Sequence, residues 1–365
     1  MSKVRIAIIT PSLGNGGAER VSSLVSIFLS NIGYDVTVLA AYPNQEFNYK
    51  GKYIYLGQSK TKSKSLFSLL VSFGLLFKAI RNEKFDFIID FRSRRLFWIE
   101  MLFHTLIYSA VKNVILTVHL PLIEKYIPKP WFFFKSIYKR AAALVVVSDS
   151  IYHKLTHLGY SNHHVIKNPI DFTHIDNQKN EDLAYTKPFI LAAGRMDDDI
   201  KRFDHVIRAY ASSVLPKAGV DLVIIGKGKI MPSLIALAKE LNCELLIKFE
   251  GFQKNPFKYF SKAKFFVLAS RFEGFPMVLI ESLACGTPVV SYNCPTGPDE
   301  IINHEQNGLL VENGNLNLLS QAISRLQIDK NLHHNCKENA RNSVKHLSFD
   351  KIQKQWKDLI ESIVA

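Results

Sequence analysis

The sequence predicts an α/β protein made of two doubly wound, Rossmann-like domains. The chain has 365 residues, more than one typical hydrophobic core needs, and its 47% apolar content is ample for packed interiors. Short apolar runs alternate with helical patterns, as in a parallel sheet covered by helices, and this alternation begins at Arg5 and again at Phe189. We therefore place the first domain at residues 1–172, a polar linker at 173–188, the second domain at 189–345 and a final amphipathic helix at 346–365.

The cysteines and the apolar segments exclude several classes of protein. The four cysteines form no C-x-x-C pair and no metal-ligand spacing, so reduced thiols in a cytosolic protein are the simple interpretation. The apolar run at the N-terminus is too short for a signal peptide. The most lipid-like stretch, Leu66–Ile80, contains Gly74 and Lys78 and is shorter than the ~20 residues that span a bilayer.

The net charge of +14 is concentrated in the first half of the chain. Residues 1–180 carry 23 Lys and Arg against 11 Asp and Glu, whereas residues 181–365 carry 23 against 21, so the halves have net charges of +12 and +2. A basic half suits nucleic acid or an anionic membrane surface. The sequence contains no helix-turn-helix, zinc-finger or RNA-binding signature, and we therefore expect no nucleic-acid partner.

In the first domain, the sequence predicts five strands, and the last three of them run into polar or charged residues. These strands are Arg5–Thr10, Asp35–Ala40, Phe85–Phe91, Val114–Val118 and Leu144–Val147. The first precedes a glycine-rich loop with Gly16 and Gly17, which lacks G-x-G-x-x-G spacing and would also fit an ordinary tight turn. His119 follows the fourth strand, and the third is followed by three arginines, Arg92, Arg94 and Arg95. Open parallel sheets place ligand groups at such strand ends, although a lone histidine is usually structural.

The second domain repeats the pattern. Its predicted strands are Phe189–Ala193, Asp221–Ile225, Leu245–Phe249, Phe265–Ala269, Pro288–Tyr292 and Leu309–Val311. The first strand runs into Gly194 and Arg195, and Lys201 stands six residues beyond Arg195; a solvated charged turn is the plainer interpretation of this pair. Gly226-Lys227-Gly228 follows the next strand and is not a P-loop, because no Ser or Thr follows at the required spacing.

The stretch Phe265–Gly286 has the pattern of a strand, a short loop and a helix. Pro276 suits the first helical position and Gly286 the helix end, and the helix N-terminus suits a phosphate. Glu273 stands in the loop and Glu281 in the helix, with seven residues between them. The two oxygens of a carboxylate suit a vicinal diol such as ribose. Taken alone, two solvated glutamates would explain this pair better.

Together these features resemble the retaining glycosyltransferases of family 4 with the GT-B fold, which include sucrose synthases and many bacterial cell-surface sugar transferases. The E-x7-E motif of that family is matched by Glu273 and Glu281, and the resemblance covers nearly the whole chain. It implies two Rossmann-like domains facing across a cleft, with the final helix crossing back to the first domain. It also implies that Glu281 binds the nucleotide ribose, that Glu273 lies against the donor sugar, and that N–H groups near Gly274 and Phe275 meet the diphosphate.

The resemblance assigns further residues to the donor. Arg195 and Lys201 match a cationic clamp on the diphosphate. The family more often spaces these residues by five and follows Lys with glycine, whereas Arg202 follows here and could share the role. The loop glycines and the strand-end histidine match family positions near the donor phosphates, and these residues are Gly16, Gly17 and His119.

The implied reaction is metal-independent transfer, with no cofactor, of a hexose or N-acetylhexosamine from a UDP-sugar to a glycan or lipid-linked acceptor. Asp197–Asp199 contains the letters D-x-D, but a phosphate clamp there argues against a metal site. Cys294–Pro298, the sequence CPTGP, resembles the subgroup that uses UDP-galactose, UDP-N-acetylgalactosamine or related donors. A UDP-sugar epimerase of the same fold and a catalytically idle nucleotide-sugar-binding partner remain as alternatives.

Two hypotheses concern the basic first half. Arginine forks suit a polyprenyl-diphosphate acceptor, so at least one of the three strand-end arginines is a candidate ligand, and pairing with carboxylates such as Glu100 is the competing interpretation. Aromatic and basic residues together suit peripheral attachment to an anionic membrane, although helices packed on the sheet would also explain them. The residues concerned are Lys60, Lys62 and Lys64 before Leu66–Phe77, and Trp131–Phe134 with Lys129, Lys135, Lys139 and Arg140.

Overall fold

The structure is a computed structural model, which describes residues 3–14, 16–57, 66–127, 138 and 141–365. The chain divides into two compact units, one formed by Met1–Pro169 with Asp350–Ala365 and the other by Ile170–Phe349. The residues of the membrane hypothesis lie outside the described part, apart from the apolar run at Leu66–Phe77; they are Lys60, Lys62, Lys64, Lys129, Trp131–Phe134, Lys135, Lys139 and Arg140.

The first unit is built on a seven-stranded parallel sheet. Its strands are β1 (Arg5–Thr10), β2 (Asp35–Ala40), β3 (Lys52–Tyr55), β4 (Phe87–Asp90), β5 (Asn113–Val118), β6 (Ala143–Val146) and β7 (His163–Val165). They pair in the order β3-β2-β1-β4-β5-β6-β7. The central strands are mostly apolar because helices cover both faces, and residues such as Ile8, Ile89 and Val145 are buried.

Four helices of the described residues follow the strands of this sheet: α1 (Gly17–Asn31), α2 (Leu66–Glu83), α3 (Phe97–Leu102) and α4 (Asp149–His157). α3 continues directly into a π-helix, Phe103–Ile107, and then into the 3-10 turn Tyr108–Ala110. Ser148 caps α4, because its hydroxyl accepts the N–H of Ile151 at 3.3 Å. The cap fixes where β6 ends and α4 begins.

The second unit is built on a six-stranded parallel sheet. Its strands are β8 (Phe189–Ala193), β9 (Asp221–Ile225), β10 (Ile247–Gly251), β11 (Phe266–Leu268), β12 (Val289–Asn293) and β13 (Gly308–Glu312), in the order β10-β9-β8-β11-β12-β13. Its helices are α5 (Phe172–Gln178), α6 (Phe203–Ala211), α7 (Met231–Glu240), α8 (Phe257–Lys262), α9 (Met277–Ala284), α10 (Pro298–Ile301), α11 (Leu316–Ile328) and α12 (Lys330–Ser343).

The last helix, α13 (Phe349–Val364), contributes to the core of the first unit. Its apolar stripe buries Ile352, Trp356 and Ile360. The ring of Trp356 lies 6.4 Å from that of Phe28 and 6.5 Å from that of Phe91, centroid to centroid. The chain therefore ends in the unit where it began.

The predicted fold class is confirmed, since both units are doubly wound parallel sheets covered by helices. The segment predicted as a linker, 173–188, is partly helical, because α5 occupies its first residues, and it belongs to the second unit. Within the described ranges, no helix has both the length and the apolar character needed to cross a membrane.

Candidate functional site

In the second sheet, the strand order reverses between β8 and β11, which are neighbours although β9 and β10 lie between them in sequence. Connections from such a point leave toward opposite faces of the sheet, and ligands of open α/β sheets bind there, beyond the carboxyl ends of the strands. The loop after β8 carries Arg195 and Lys201, and the loop after β11 carries Glu273. The topology thus brings three predicted site residues to one end of the sheet.

Lys201 and Glu273 form an ion pair at this strand end. Lys201 Nζ lies 2.5 Å from Glu273 Oε1, although 72 residues separate them in sequence. The buried hydroxyl of Ser270 donates to the same oxygen at 2.6 Å. Glu273 is buried, whereas 22% of the Lys201 side chain is exposed. The carboxylate is therefore held by two donors, while the Lys201 side chain stays partly exposed.

The CPTGP run supports the Glu273 loop. Thr296 donates its hydroxyl to the carbonyl oxygen of Glu273. Gly297 has φ +94°, and a Cβ atom there would lie 2.7 Å from Pro276 Cδ and 2.9 Å from the carbonyl oxygen of Gly274. Only glycine fits such an approach without displacing backbone. Sequence reasoning used this run as a hint about the donor sugar and missed its structural contribution.

A glycine turn after β9 holds the loop that carries Arg195. Gly226 has φ +136°, and a Cβ atom there would lie 1.9 Å from the carbonyl oxygen of Gly194. A Cβ atom at Gly228 would lie 2.0 Å from the carbonyl carbon of Met196. The Met196 N–H donates to the carbonyl oxygen of Lys227 at 3.0 Å. The G-K-G sequence therefore serves close backbone packing beside the candidate site.

Arg195 is exposed, and its side chain forms no ion pair or hydrogen bond with the residues that the structure describes. The neighbouring carboxylate of Asp199 pairs with Arg271, with Oδ2 2.7 Å from Nη2, so this aspartate is already balanced by a cation. Across the described segments, no three His, Cys, Asp or Glu side chains lie close enough together to hold a metal ion. Arg195 is thus an exposed cation at this strand end that has no ion-pair partner among the described residues.

Arg202 stands where the resemblance leads one to expect glycine, and its backbone conformation is one that favours glycine. The residue adopts the left-handed conformation, with φ 45° and ψ 51°, at the N-cap of α6. A non-glycine residue in this region costs about 1 kcal/mol or more. Its guanidinium carbon lies 5.9 Å from the centroid of the Tyr292 ring. Arg202 therefore packs toward β12, and a shared diphosphate role for it stays a prediction.

The helix after the Glu273 loop begins one residue later than predicted. Pro276 is the N-cap residue of α9, and Gly286, with φ +84°, follows the C-cap residue Cys285. Glu281 is buried in the middle of α9, and Gly274 and Phe275 are buried in the loop before it. Their ribose and diphosphate roles stay predictions.

In the first sheet, the strand order reverses between β1 and β4, and the arginine cluster follows β4. Arg94 is fully buried and donates to four backbone carbonyl groups: Thr117 at 2.8 Å, Tyr126 at 3.2 Å, Arg92 at 3.2 Å and Asp90 at 3.4 Å. Its donors are used inside the protein. This burial contradicts the acceptor-phosphate role predicted for Arg94. The side chain instead links the ends of β4 and β5 to the loop before residue 127 through its hydrogen bonds.

Arg92 is engaged in the same buried cluster. Its Nη2 lies 2.8 Å from Asp90 Oδ2, its Nη1 lies 3.3 Å from Glu100 Oε1, and its guanidinium carbon lies 3.4 Å from the centroid of the Phe103 ring. The competing interpretation, pairing with Glu100, thus describes Arg92, although Glu100 is buried rather than on the surface. Arg95 is exposed and keeps the acceptor hypothesis as a prediction.

The charges of this cluster balance one another. Burial alone would raise the pKa of Asp90, but the guanidinium groups of Arg92 and then Arg94 outweigh it and hold that pKa below its ordinary value. Burial raises the pKa of Glu100, and Arg92 offsets this only in part. The hydroxyl group of Tyr108 donates to Asp90 Oδ2. The charged groups and the Tyr108 hydroxyl of this cluster thus pair with one another inside the protein, which is typical of a structural network.

His119 lies at the carboxyl end of β5, as predicted, and is buried. Its Nε2 lies 3.0 Å from Thr117 Oγ1, and its ring stacks on Phe91 with the centroids 5.3 Å apart. Burial, and then the cation of Arg94, lower the pKa of His119 to about 3. The imidazole is therefore neutral near pH 7, so it could form a hydrogen bond with a phosphate but not an ion pair. Its contact with the donor stays a prediction.

The glycine-rich loop leads into α1. Gly16 is the N-cap residue in an extended conformation, and Gly17 is the first helical residue. A Cβ atom at Gly16 would lie 1.9 Å from Glu19 Oε2 in the first turn. The loop glycines therefore lie at a helix N-terminus, and their approach to a diphosphate stays a prediction.

Two family models match the chain in succession. The model described as Glycosyltransferase Family 4 matches residues 15–174, and the model described as Glycosyl transferases group 1 matches residues 174–343. Each match falls largely within one of the two units, and together they cover both sheets except β1.

Individual relatives and solved structures agree with these models. The chain is 40% identical to N-acetylgalactosamine-N,N'-diacetylbacillosaminyl-diphospho-undecaprenol 4-alpha-N-acetylgalactosaminyltransferase of Campylobacter jejuni, over 52% of this chain and 50% of that protein. It is 24% identical to the amylovoran biosynthesis glycosyltransferase AmsD of Erwinia amylovora, over 98% of this chain and 99% of that protein. The pneumococcal O-GlcNAc transferase GtfA, in complex with UDP and GlcNAc, has a similar structure, with a TM-score of 0.79 and 12% identity over 100% of both chains.

Coverage differs among these relatives. The match spans half the length of the Campylobacter protein but nearly the whole of AmsD. The likeness to GtfA concerns the fold. Two parallel sheets with equivalent points of reversal and two successive family models lead to one conclusion: the chain belongs to the GT-B glycosyltransferases of family 4.

Proposed function

We propose that the protein is a retaining hexosyltransferase that moves a hexose or N-acetylhexosamine from a UDP-sugar to a glycan or lipid-linked acceptor in polysaccharide biosynthesis. One observation carries this proposal: Lys201 and Glu273 meet at the carboxyl ends of β8 and β11, where the strand order reverses. Both match motifs of the family, and ligands of open parallel sheets generally bind at such a point, which supports the proposal.

The proposed reaction requires stabilisation of a departing diphosphate. The bond between sugar C1 and the phosphate oxygen breaks, UDP leaves with the electron pair, and the acceptor oxygen bonds to C1 from the same face while its proton passes to the departing diphosphate. The charge that develops on the phosphate is stabilised by fixed cations and N–H groups in a site sheltered from water. We assign this role to two cations at the strand end, the exposed Arg195 and the partly exposed Lys201.

Glu273 is the carboxylate assigned to the donor sugar. Ser270 and Lys201 both donate to its Oε1, so the carboxylate has one orientation before any substrate arrives. A fixed acceptor of this kind orients sugar hydroxyl groups at little entropic cost. Glu281, buried in α9, is assigned to the ribose diol, and the N-terminal end of α9 near Gly274 and Phe275 to the diphosphate.

The named relatives support the donor and acceptor classes. GtfA is described in complex with UDP and GlcNAc, which favours a UDP-sugar donor for this chain as well. The name of the Campylobacter relative contains a diphospho-undecaprenol acceptor and an N-acetylgalactosaminyl group, which favours a lipid-linked acceptor and an N-acetylhexosamine here. The CPTGP run was the sequence feature that favoured a galactose-type donor.

Slow hydrolysis of the donor tests the proposal without knowledge of the acceptor. The protein is incubated with UDP-galactose, UDP-N-acetylgalactosamine, UDP-glucose and UDP-N-acetylglucosamine, and released UDP is measured. One donor should be hydrolysed faster than the others, and Glu273→Gln should lose that activity. Equal background release from all four donors would argue against a transferase.

The same experiment separates the epimerase alternative. An epimerase would convert one UDP-sugar into its epimer without releasing UDP, and adding an acceptor would change nothing. A transferase releases UDP, faster when an acceptor is added. With an acceptor in hand, the anomeric proton coupling should show that the α-configuration of the donor is kept, and EDTA should leave the rate unchanged.

A further inference from the structure

Thr117 and His119 stand two positions apart at the carboxyl end of β5. Side chains two apart along a strand lie on the same side of the sheet, so the strand itself brings this pair together. The Nε2 atom of His119 lies 3.0 Å from Oγ1 of Thr117. The family resemblance assigns His119 to the donor and gives Thr117 no role, although the two side chains are in direct contact.

The hydroxyl group of Thr117 donates to a second partner. Its Oγ1 lies 2.9 Å from the backbone carbonyl oxygen of Asp90 on β4, and a carbonyl oxygen can only accept a hydrogen bond. A hydroxyl group has one proton to donate, so the same group accepts at its other contact. Thr117 and Asp90 are buried, with exposed fractions of 1% and 0%, where a polar group without a partner is costly.

These two contacts determine which nitrogen of His119 carries the proton. When Thr117 accepts, Nε2 is the protonated nitrogen, and the hydrogen bonds run from Nε2–H to the hydroxyl and from the hydroxyl to the Asp90 carbonyl. In the other tautomer, the Thr117 proton would point to Nε2 and the carbonyl would lose its hydroxyl donor. The first arrangement makes two hydrogen bonds where the second makes one, so the burial of these groups favours the Nε2–H form.

The other nitrogen of His119 is therefore an acceptor. Burial, and then the cation of Arg94, lower the pKa of His119 to about 3, so near pH 7 only one ring nitrogen carries a proton. The Nδ1 atom receives no hydrogen bond from the described residues and is not sealed in the interior. Stacking on Phe91, with 5.3 Å between the ring centroids, fixes the plane in which Nδ1 is presented.

We propose that Thr117 is a positioning residue, which holds His119 in the Nε2–H tautomer so that Nδ1 accepts a hydrogen bond from a hydroxyl group of the sugar substrate. The phosphates of UDP offer only acceptor oxygens, so Nδ1 of this tautomer cannot hydrogen-bond to them. The proposal thus narrows the position near the donor phosphates that the resemblance implies. It rests on the proposed function for the substrate, whereas the tautomer is a property of the free protein.

Nitrogen NMR of the histidine side chains in the isotope-labelled protein tests the tautomer, and comparison with His119→Gln identifies the His119 signals among those of the 12 histidines. In the wild type at pH 7, Nδ1 should resonate as an unprotonated, pyridine-like nitrogen and Nε2 as a protonated, pyrrole-like nitrogen. Thr117→Ser keeps the hydroxyl group and should keep this pattern. Thr117→Val replaces the hydroxyl with a methyl group of similar size, which would leave an N–H at Nε2 buried without an acceptor, so the Nδ1–H form should gain population.

Titration calorimetry tests the ligand by comparing UDP with a UDP-sugar. UDP has the phosphates without a transferred sugar, so Thr117→Val should bind it like the wild type. The UDP-sugar that the wild type hydrolyses fastest should bind Thr117→Val about fivefold more weakly, the scale of one neutral hydrogen bond, and Thr117→Ser should restore the affinity. The matched control is Thr37→Val, at a buried threonine of β2 in the same sheet, which should leave the tautomer and both affinities unchanged.

Four results would overturn the proposal. A protonated Nδ1 in the wild type would reverse the direction of the hydrogen bonds, and this measurement needs no variant of Thr117. An unchanged tautomer in Thr117→Val would show that Thr117 does not fix it. Weaker UDP binding by Thr117→Val alone would assign His119 to the phosphates, and unchanged UDP-sugar affinity despite a changed tautomer would remove the sugar hydroxyl. Failure of the protein to hydrolyse any UDP-sugar would instead contradict the proposed function, with the tautomer measured independently.

Discussion

The two sheets reverse their strand order in the same way, yet the charged residues at the two points of reversal are used differently. In the first unit, Arg94 after β4 is fully buried and donates to backbone carbonyl groups, and Arg92 is paired with two buried carboxylates. In the second unit, Arg195 after β8 is exposed and Lys201 is partly exposed beside Glu273. The first set holds the protein together, and the second set is available to a ligand.

This difference shows how a structural cation at a strand end can be distinguished from one that is available for binding. Its position in the sequence is the same in both units, directly after a buried strand. The number of acceptors that the surrounding fold supplies is what differs, because the loop around Tyr126 supplies carbonyl oxygens to Arg94 and nothing comparable reaches Arg195 in the described structure. Burial with satisfied donors indicates stability, and exposure at a point of strand reversal indicates binding.

The largest effect should come from Arg94→Met. The substitution keeps much of the apolar volume but removes the donors to Thr117, Tyr126 and Arg92 and a cation near Asp90. Breaking a buried charged network costs on the order of 3–5 kcal/mol of the free energy of unfolding. Urea denaturation measures it. Arg95→Met, at an exposed neighbouring position, should stay within about 0.5 kcal/mol of the wild type. Equal stability of the two variants would contradict the division between the units.

The next largest effect should come from Glu281→Ala in the second unit. If this carboxylate holds the ribose diol, the variant should bind UDP more weakly by roughly 1.5–3 kcal/mol, the scale of hydrogen bonds to a charged group. Isothermal titration calorimetry measures the affinity. Glu338→Ala, an exposed glutamate on α12 of the same unit, is the matched control and should bind UDP like the wild type. Unchanged UDP affinity in folded Glu281→Ala would remove the ribose assignment.

The sequence predicted the positions of the central strands better than it predicted the burial and contacts of individual side chains. The bounds of β1, β2, β8 and β9 were predicted without error, because each is a buried apolar run between polar residues. β3 and β7 were missed, since they are edge strands of four and three residues whose side chains are largely not buried. A short edge strand has neither the length nor the continuous apolar pattern that marks a central parallel strand.

The candidate site shows the same limit. The positions of Lys201 and Glu273 after their strands were predictable, and the fold brings such positions together. Other contacts could not be predicted, because they depend on how the chain folds in space. Ser270 orients the carboxylate of Glu273, and Gly226 and Gly228 allow close packing against the Arg195 loop. The burial of Arg94 could not be predicted from the sequence either, because two of its carbonyl acceptors belong to residues 23 and 32 positions away.

Acid should destabilise the first unit through His119. The pKa of His119 is lowered to about 3, so above pH 6.5 the folded and unfolded forms are both neutral, and as pH falls below 6.5 only the unfolded chain gains the proton. Stability is therefore lost as pH falls toward 3, by up to about 1.4 kcal/mol per pH unit. Urea denaturation from pH 7 to pH 5 should show a smaller acid loss for His119→Gln than for the wild type. Equal slopes would mean that His119 titrates normally.

The smallest effect concerns Arg195 and tests the central claim, that the cations after β8 are available to the donor while the buried Arg92 and Arg94 after β4 are not. Arg195 is a cleaner probe than Lys201, because removing Lys201 would also leave Glu273 without its cation. Isothermal titration of UDP into Arg195→Ala should show affinity weakened by about 1 kcal/mol, roughly fivefold, for the loss of one exposed phosphate contact. Arg95→Ala should bind UDP like the wild type. Wild-type affinity in Arg195→Ala, or equal losses in both variants, would contradict the account.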